Sequence, residues 1–368
     1  MYLFSDEKKY LDFGAGIAVN ALGHCHPKMV DAITSQAKKL WHVSNIYNGN
    51  ELNSYAEKLV GNTIFDYAFF CNSGAEAVEC VIKMIRHHFF AKGQKNKNRI
   101  ITFTGAFHGR TIATISAAAK QKYLEGFEPA LQGFDNVEFG NIEAVKNAIG
   151  QDTAGILIEP IQGEEGIRVA DKNFIHELRK ISDDHGLLLA FDEVQCGMGR
   201  AGHLFAYDYY GVKPDLIASA KGIAGGFPLG ACLATVNAAN GMSPGVHGTT
   251  YGGNPLAMSV ARAVLDVILE DGFLDHVKTC GAMLKTELQK LQNEFPDLIE
   301  EVRGVGLMLG IKINQKVENF DLVRKLIDLG LLTIPANDNV IRIMPSLIVE
   351  SDHVVEAISK IRKACLSF

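Results

Sequence analysis

The sequence predicts an α/β protein: a large domain with a mostly parallel sheet covered by helices, followed by a smaller α+β domain. Three observations carry this expectation. Up to about residue 250, short apolar runs alternate with amphipathic helical stretches, the pattern of parallel strands joined by helical crossovers. One run, Leu187 to Phe191, is apolar throughout and stops at the acid pair Asp192–Glu193, as a strand buried on both faces of a parallel sheet does. Beyond about residue 273 the rhythm changes to helix, strand, helix, short strands and a final helix. At 368 residues the chain is long enough for a sizeable core and two domains. The expected division is an N-terminal segment over 1–44 packing with the small domain, a large domain over 45–274, and a small domain over 275–368.

Taken in order, residues 2–13 read as a hairpin, YLF–SDEKK–YLDF. GAGIAVNALGHCHP (14–27) reads as a tight loop of small residues. Its His24 and His26 stand two apart with no acid beside them, which is weak evidence for a metal, and no metal site is expected. Pro27 opens a helix with apolar positions at Met29, Val30, Ile33, Ala37 and Leu40, and a second helix spans about 51–60. Residues 68–90 read as strand, turn and helix, with Asn72, Ser73 and Gly74 at the helix start. The free N–H groups there offer an anion site or plain N-capping. No G-x-G-x-x-G and no GxxxxGK[ST] is present. A strand from 99 leads into a loop with Phe107, His108 and Arg110, and a strand from 155 breaks at Glu159–Pro160. A helix over 173–185 precedes the central run, and Leu216 to Ala218 is a further short run before SAKGIAGG. HGTTYGGNP (247–255) is a turn cluster before a long helix over 256–269. Then come a helix (273–294), one strand (303–311), a helix (319–329), a short strand, VIRIMPSL (340–347) and a last helix (351–366).

Composition narrows the function classes. Hydrophobic residues make up 47% and charged residues 21%, and the net charge is −6, which gives no general attraction to nucleic acid. No apolar run approaches the ~20 residues of a membrane span, and no secretory signal is visible at the start. Seven dispersed cysteines without a CxxC fit reduced thiols in a cytoplasmic protein.

The chemistry centres on Asp192 and Lys221. An acid at one strand tip and a lysine in a small-residue turn can converge at the carboxyl edge of a sheet, where open α/β sheets place ligands. A lysine amine can form a Schiff base with the aldehyde of pyridoxal 5'-phosphate (PLP). A carboxylate beside the pyridine nitrogen favours the protonated ring, which then withdraws electrons. Taken singly, either residue more often reads as a cap or a surface charge.

Eight motifs shift that balance: GIAVNALGHCHP, NSGAEA, AFHGRT, EPIQGEEG, FDEVQCGMGR, SAKGIAGGFPLGA, HGTTYGGNPLA and VIRIMPSL. With them, in order over essentially the whole chain, the sequence resembles the class III (ω-amino acid) aminotransferases of the fold type I PLP enzymes. The resemblance implies Lys221 as the Schiff-base lysine and Asp192 as the partner of the pyridine nitrogen. It implies Val194 and Phe107 on the two faces of the cofactor ring, Gln195 on its phenolic oxygen, and the backbone of Ser73, Gly74 and Ala75 on its phosphate. Family members often carry Thr where this chain has Ala75, so a hydroxyl is missing while the N–H donors remain. Thr250 would reach the phosphate of the neighbouring subunit, which implies a homodimer with shared active sites.

The resemblance also implies two substrate arginines, Arg110 and Arg342, each suited to a carboxylate by its planar fork. Without the resemblance each reads more readily as a structural ion pair. Glutamate and 2-oxoglutarate would engage both, while the amino donor would use Arg110 alone with Glu164 masking Arg342. Ile17 stands where members acting on free ornithine have Tyr, which favours an acylated donor. The implied reaction moves the distal amino group of N-acetylornithine or N-succinyl-diaminopimelate to 2-oxoglutarate. Competing readings are a 4-aminobutyrate or ornithine transaminase, a glutamate-semialdehyde-type aminomutase, and a non-catalytic binding module. Family members usually carry a further stretch before the first hairpin, so the chain is expected to start upstream or to have a more open pocket mouth.

Overall fold

The computed structural model describes residues 1–5, 8–47 and 49–368. A seven-stranded sheet forms its centre. In spatial order the strands are Tyr67–Cys71, Gly230–Ala234, Leu216–Ser219, Leu188–Asp192, Thr153–Ile158, Arg99–Phe103 and Phe134–Val137. All run parallel except Gly230–Ala234, which opposes both neighbours. The strand Thr153–Ile158 is buried at every position, as is Leu188–Asp192, because helices cover both faces of a doubly wound sheet. Each fully buried Ile, Leu or Phe there contributes about 1.5–3 kcal/mol by leaving water.

Two strands of this sheet escape the sequence pattern. Gly230–Ala234 is a short GACLA segment merged with the Gly-rich run before it, and Phe134–Val137 is a polar edge strand, FDNV. Neither shows the long apolar run or the clean alternation that marks a strand.

The helix Gly74–Ala91 lies on one face, burying Ala77, Val78, Val81, Ile82 and Ile85 at helical spacing. The helix Pro255–Ile268 packs against Pro27–Ala37 and Asn50–Gly61. Pro27 and Pro255 both stand in the first turn of their helices, where a missing N–H costs nothing.

A second, four-stranded antiparallel sheet has the order Ile299–Val305, Met308–Ile313, Val340–Ile343, Ile334–Ala336. The single strand expected over 303–311 is therefore corrected to a hairpin. Gly306, at φ +57°, reverses the chain between its two strands, a backbone region that glycine enters without steric cost. The N-terminal strands Tyr2–Ser5 and Lys8–Asp12 pair antiparallel, and Leu331–Leu332 joins them parallel to Lys8–Asp12. The start of the chain is thus held by its C-terminal third. The expected hairpin turn includes residues 6 and 7, which lie outside the described residues.

Candidate active site

Glu159 and Asp192 stand where adjacent parallel strands end, and Lys221 follows the next strand, Leu216–Ser219. These carboxyl ends frame a cavity of about 290 Å³. Ser73, Gly74, Ala75, Phe107, His108, Glu159, Glu164, Asp192, Val194, Gln195 and Lys221 all line it. Residues far apart in sequence meet here because most of them follow strands of one sheet.

Asp192 is nearly inaccessible and makes a 2.8 Å contact from Oδ2 to Nδ1 of His108, while its Oδ1 accepts from the Val194 N–H at 3.0 Å. Burial alone would lower the His108 pKa, but the Asp192 carboxylate, aided by Glu159, more than offsets it and holds that imidazole above its ordinary value. The Nε2 of His108 is buried without a partner. Glu159 accepts from the Phe107 N–H at 2.7 Å. Its carboxyl is pushed up to about 7, first by burial and then by the neighbouring Asp192. Glu193 faces the other way and accepts from the N–H groups of Ala206 and Tyr207, so its role is to cap the helix Ala206–Tyr210.

Lys221 sits at φ +47°, a left-handed conformation that costs a non-glycine residue energy and is tolerated where the surroundings over-determine it. Burial lowers its amine to about 8, so a sizeable neutral, nucleophilic fraction exists near neutrality. Val194 forms one wall, and a Cβ at Gly74 would lie 2.9 Å from its Cγ1. Glycine there lets the helix start approach the wall. Gln195 carries a buried Oε1 without a partner. At the start of Gly74–Ala91, Ser73 Oγ accepts from the Glu76 N–H, and Glu76 reaches back to the Asn72 N–H at 2.9 Å. Ser73 thus caps the helix, and Gly74 and Ala75, at its first positions, line the cavity.

Arg342 is 2% exposed, the largest fully buried side chain, and its Nη1 meets Glu164 Oε1 at 2.6 Å. Its Nη2 donates to the Pro335 carbonyl at 3.2 Å, and its Nε has no partner. Glu164 lines the cavity, so the pair stands at its wall. Arg110 lies outside the lining, exposed, with its guanidinium over the rings of Tyr123 and Phe107 at 4.0 and 5.4 Å.

The structure places two of the expected residues off this wall. Ile17 does not line the cavity, whereas Val19 does. Ala15 through Ala18 all have positive φ, a left-handed turn that leaves Ile17 39% exposed. Thr250 is exposed and off the cavity wall of its own chain. Its neighbour Thr249 is the one that meets Asn72, at 3.5 Å.

Sequence reasoning passed over His108 and Glu159. Glu159 carried the same signal as Asp192, an acid closing an apolar run. His108 carried none beyond lying two residues before Arg110. His24 contacts Asp12 at 2.9 Å, and among the described residues no cluster of three or more His, Cys, Asp or Glu could hold a metal ion. No helix among them is long and apolar enough to cross a membrane.

A doubly wound sheet with a buried acid at one strand tip and a half-buried lysine after the next defines a fold type I, PLP-dependent transferase. Residues 1–365 match the class-III aminotransferases, and the chain belongs to that family. It is 54% identical to the acetylornithine aminotransferase of Agrobacterium fabrum over 100% of this chain and 92% of that protein. The acetylornithine aminotransferase of Brucella melitensis is 50% identical over 98% of this chain and 89% of its own length. Among solved structures, the acetylornithine aminotransferase of Elizabethkingia anophelis matches with a TM-score of 0.88 at 32% identity, over 100% of this chain and 92% of that one. An ornithine aminotransferase from Toxoplasma gondii matches with a TM-score of 0.94 at 28% identity, over 98% and 86%.

The cofactor of this family is PLP, and the cavity fits it. The orphaned Gln195 Oε1, the glycine-lined approach at Gly74, the acidic tip at Asp192 and the depressed Lys221 amine would suit its ring, phosphate and aldehyde. Bound there, it supplies an electron sink at the reacting carbon. The chain's own groups do the rest. Asp192, nearly inaccessible and oriented by His108 and the Val194 N–H, would face the cofactor's ring. Lys221, in its neutral form, would be placed to take a proton from a donor carbon and return it.

Proposed function

We propose that this chain transfers the distal amino group of N-acetylornithine, or of N-succinyl-diaminopimelate, to 2-oxoglutarate, giving the semialdehyde or keto product and glutamate. The observation that carries the reading is the Glu164–Arg342 pair at the cavity wall. A buried cation masked by a cavity carboxylate suits a site that must accept both a dicarboxylate and a donor lacking a second carboxylate at that end. When glutamate enters, its carboxylate replaces Glu164 on Arg342. When the acylated donor enters, Glu164 stays paired and Arg110 holds the donor's carboxylate.

In this reading Lys221 and Asp192 are the catalytic pair. Val194 and Phe107 flank the ring, Gln195 bonds its phenolic oxygen, and the N–H groups of Ser73, Gly74 and Ala75 hold the phosphate. Thr250, exposed in its own chain, completes the phosphate site of a second subunit in a homodimer working in the cytoplasm. Residues 1–44 travel with a small domain over 275–368, and 45–274 form the large domain. The test is a donor panel with 2-oxoglutarate, reading glutamate: N-acetylornithine, N-succinyl-diaminopimelate, ornithine and 4-aminobutyrate. Preference for free ornithine or 4-aminobutyrate refutes the acylated-donor assignment.

A further inference from the structure

Arg110 is held by rings. Its guanidinium carbon lies 4.0 Å from the Tyr123 ring centroid, closer than the 5.4 Å to Phe107. Tyr123 in turn has two further neighbours. It meets Phe107 edge-on, with centroids 5.9 Å apart and planes at 89°. Lys120 Nζ lies 5.7 Å from its centroid. Lys120 is itself tied at 2.7 Å to Glu165, which also accepts from Asn337 Nδ2 at 3.0 Å. Phe107 lines the cavity, with its N–H on Glu159.

The choice of partner matters. A carboxylate would hold Arg110 firmly but would occupy its N–H donors. A ring face attracts the cation through the charge of its π-system and takes none of the five N–H groups, which lie in the guanidinium plane. We propose that Tyr123 is a positioning residue: its ring sets Arg110 at a fixed distance from Phe107 and leaves the guanidinium's hydrogen-bonding edge free for a substrate carboxylate. The inference rests on the reading that Arg110 binds a carboxylate of both substrates in the transamination above.

The experiment uses the holoenzyme with 2-oxoglutarate and the best donor of the panel. Tyr123→Leu should raise KM for both substrates by about ten-fold, with kcat at saturation and the cofactor's absorption retained. Tyr123→Phe, which keeps the ring and loses the hydroxyl, should rescue KM to within about two-fold. Fluorinated phenylalanines placed at 123 keep the shape and drain charge from the ring face, so KM should climb with each fluorine. That series decides the matter should Tyr123→Leu fail to fold. Wild-type KM in Tyr123→Leu, equal damage from Phe and Leu, a fall in kcat at unchanged KM, or a flat fluorine series overturns the proposal. A wild-type enzyme that passes no amino group to 2-oxoglutarate overturns the functional reading itself.

Discussion

Removing Glu164 or Arg342 separates the two half-reactions. In Glu164→Ala, Arg342 keeps only the Pro335 carbonyl at 3.2 Å, and its Nε is already unpartnered. Losing one member of a fully buried pair costs about 3–5 kcal/mol. Glu164 is 26% exposed on its side chain, so water can reach the gap and the loss should fall nearer 2 kcal/mol, within the roughly 1.5–3 kcal/mol of a charged hydrogen bond. A dicarboxylate should recover much of it, so glutarate should raise the melting temperature more in Glu164→Ala than in wild type. Glutamate should react faster, because its carboxylate no longer displaces an ion pair, while the acylated donor is outcompeted or misplaced. In Arg342→Ala, glutamate and 2-oxoglutarate lose a bidentate contact and the donor that uses Arg110 suffers less. At about 1.4 kcal/mol per decade, each shift should reach ten-fold or more in kcat/KM. The assay is single-turnover kinetics of each half-reaction, followed through the cofactor's absorption. Equal depression of both half-reactions by both substitutions would make the pair a structural one and end the dual-substrate argument.

Lys221→Ala should abolish glutamate formation while the protein still retains PLP through its other contacts, and full turnover in the variant would remove Lys221 from the mechanism. In wild-type apoprotein, cofactor attachment should quicken as pH rises through about 8, because burial lowers this amine and the neutral form is the reactive one; a midpoint near the free-lysine value would contradict that. Asp192→Asn keeps the shape and loses the charge, so kcat should fall by an amount on the order of 3 kcal/mol in barrier, with unchanged kcat at full cofactor occupancy counting against the assignment. Thr250→Val should weaken cofactor retention by about 0.5–1.5 kcal/mol, the worth of one neutral hydrogen bond, measured by equilibrium dialysis; a dimer structure with Thr250 remote from the partner's phosphate would refute it.

The strand Leu188–Asp192 and the helix Gly74–Ala91 were legible in the sequence because a doubly buried strand is an unbroken apolar run and a helix on a sheet is apolar at helical spacing. The placement of Asp192 at a strand tip and of Lys221 after the next strand was legible too, since the motifs around them are local. Gly230–Ala234 was not legible, because its place in the sheet comes from pairing between Leu216–Ser219 and the distant Tyr67–Cys71 rather than from its own pattern. The hairpin at Gly306 reads as one strand until pairing shows where the chain reverses.

The sequence by itself determined which residue types could do the chemistry, their order, and the layered α/β plan, because these follow from local periodicity and short motifs. Only the tertiary structure decided who meets whom. His108 reaches Asp192 across 84 positions, Glu164 reaches Arg342 across 178, and Arg110 rests on Tyr123 rather than on an acid. It also turned Ile17 away from the cavity and brought Val19 to its wall. Such pairings depend on which strand ends adjoin and on the left-handed turns between them, and a linear pattern carries neither.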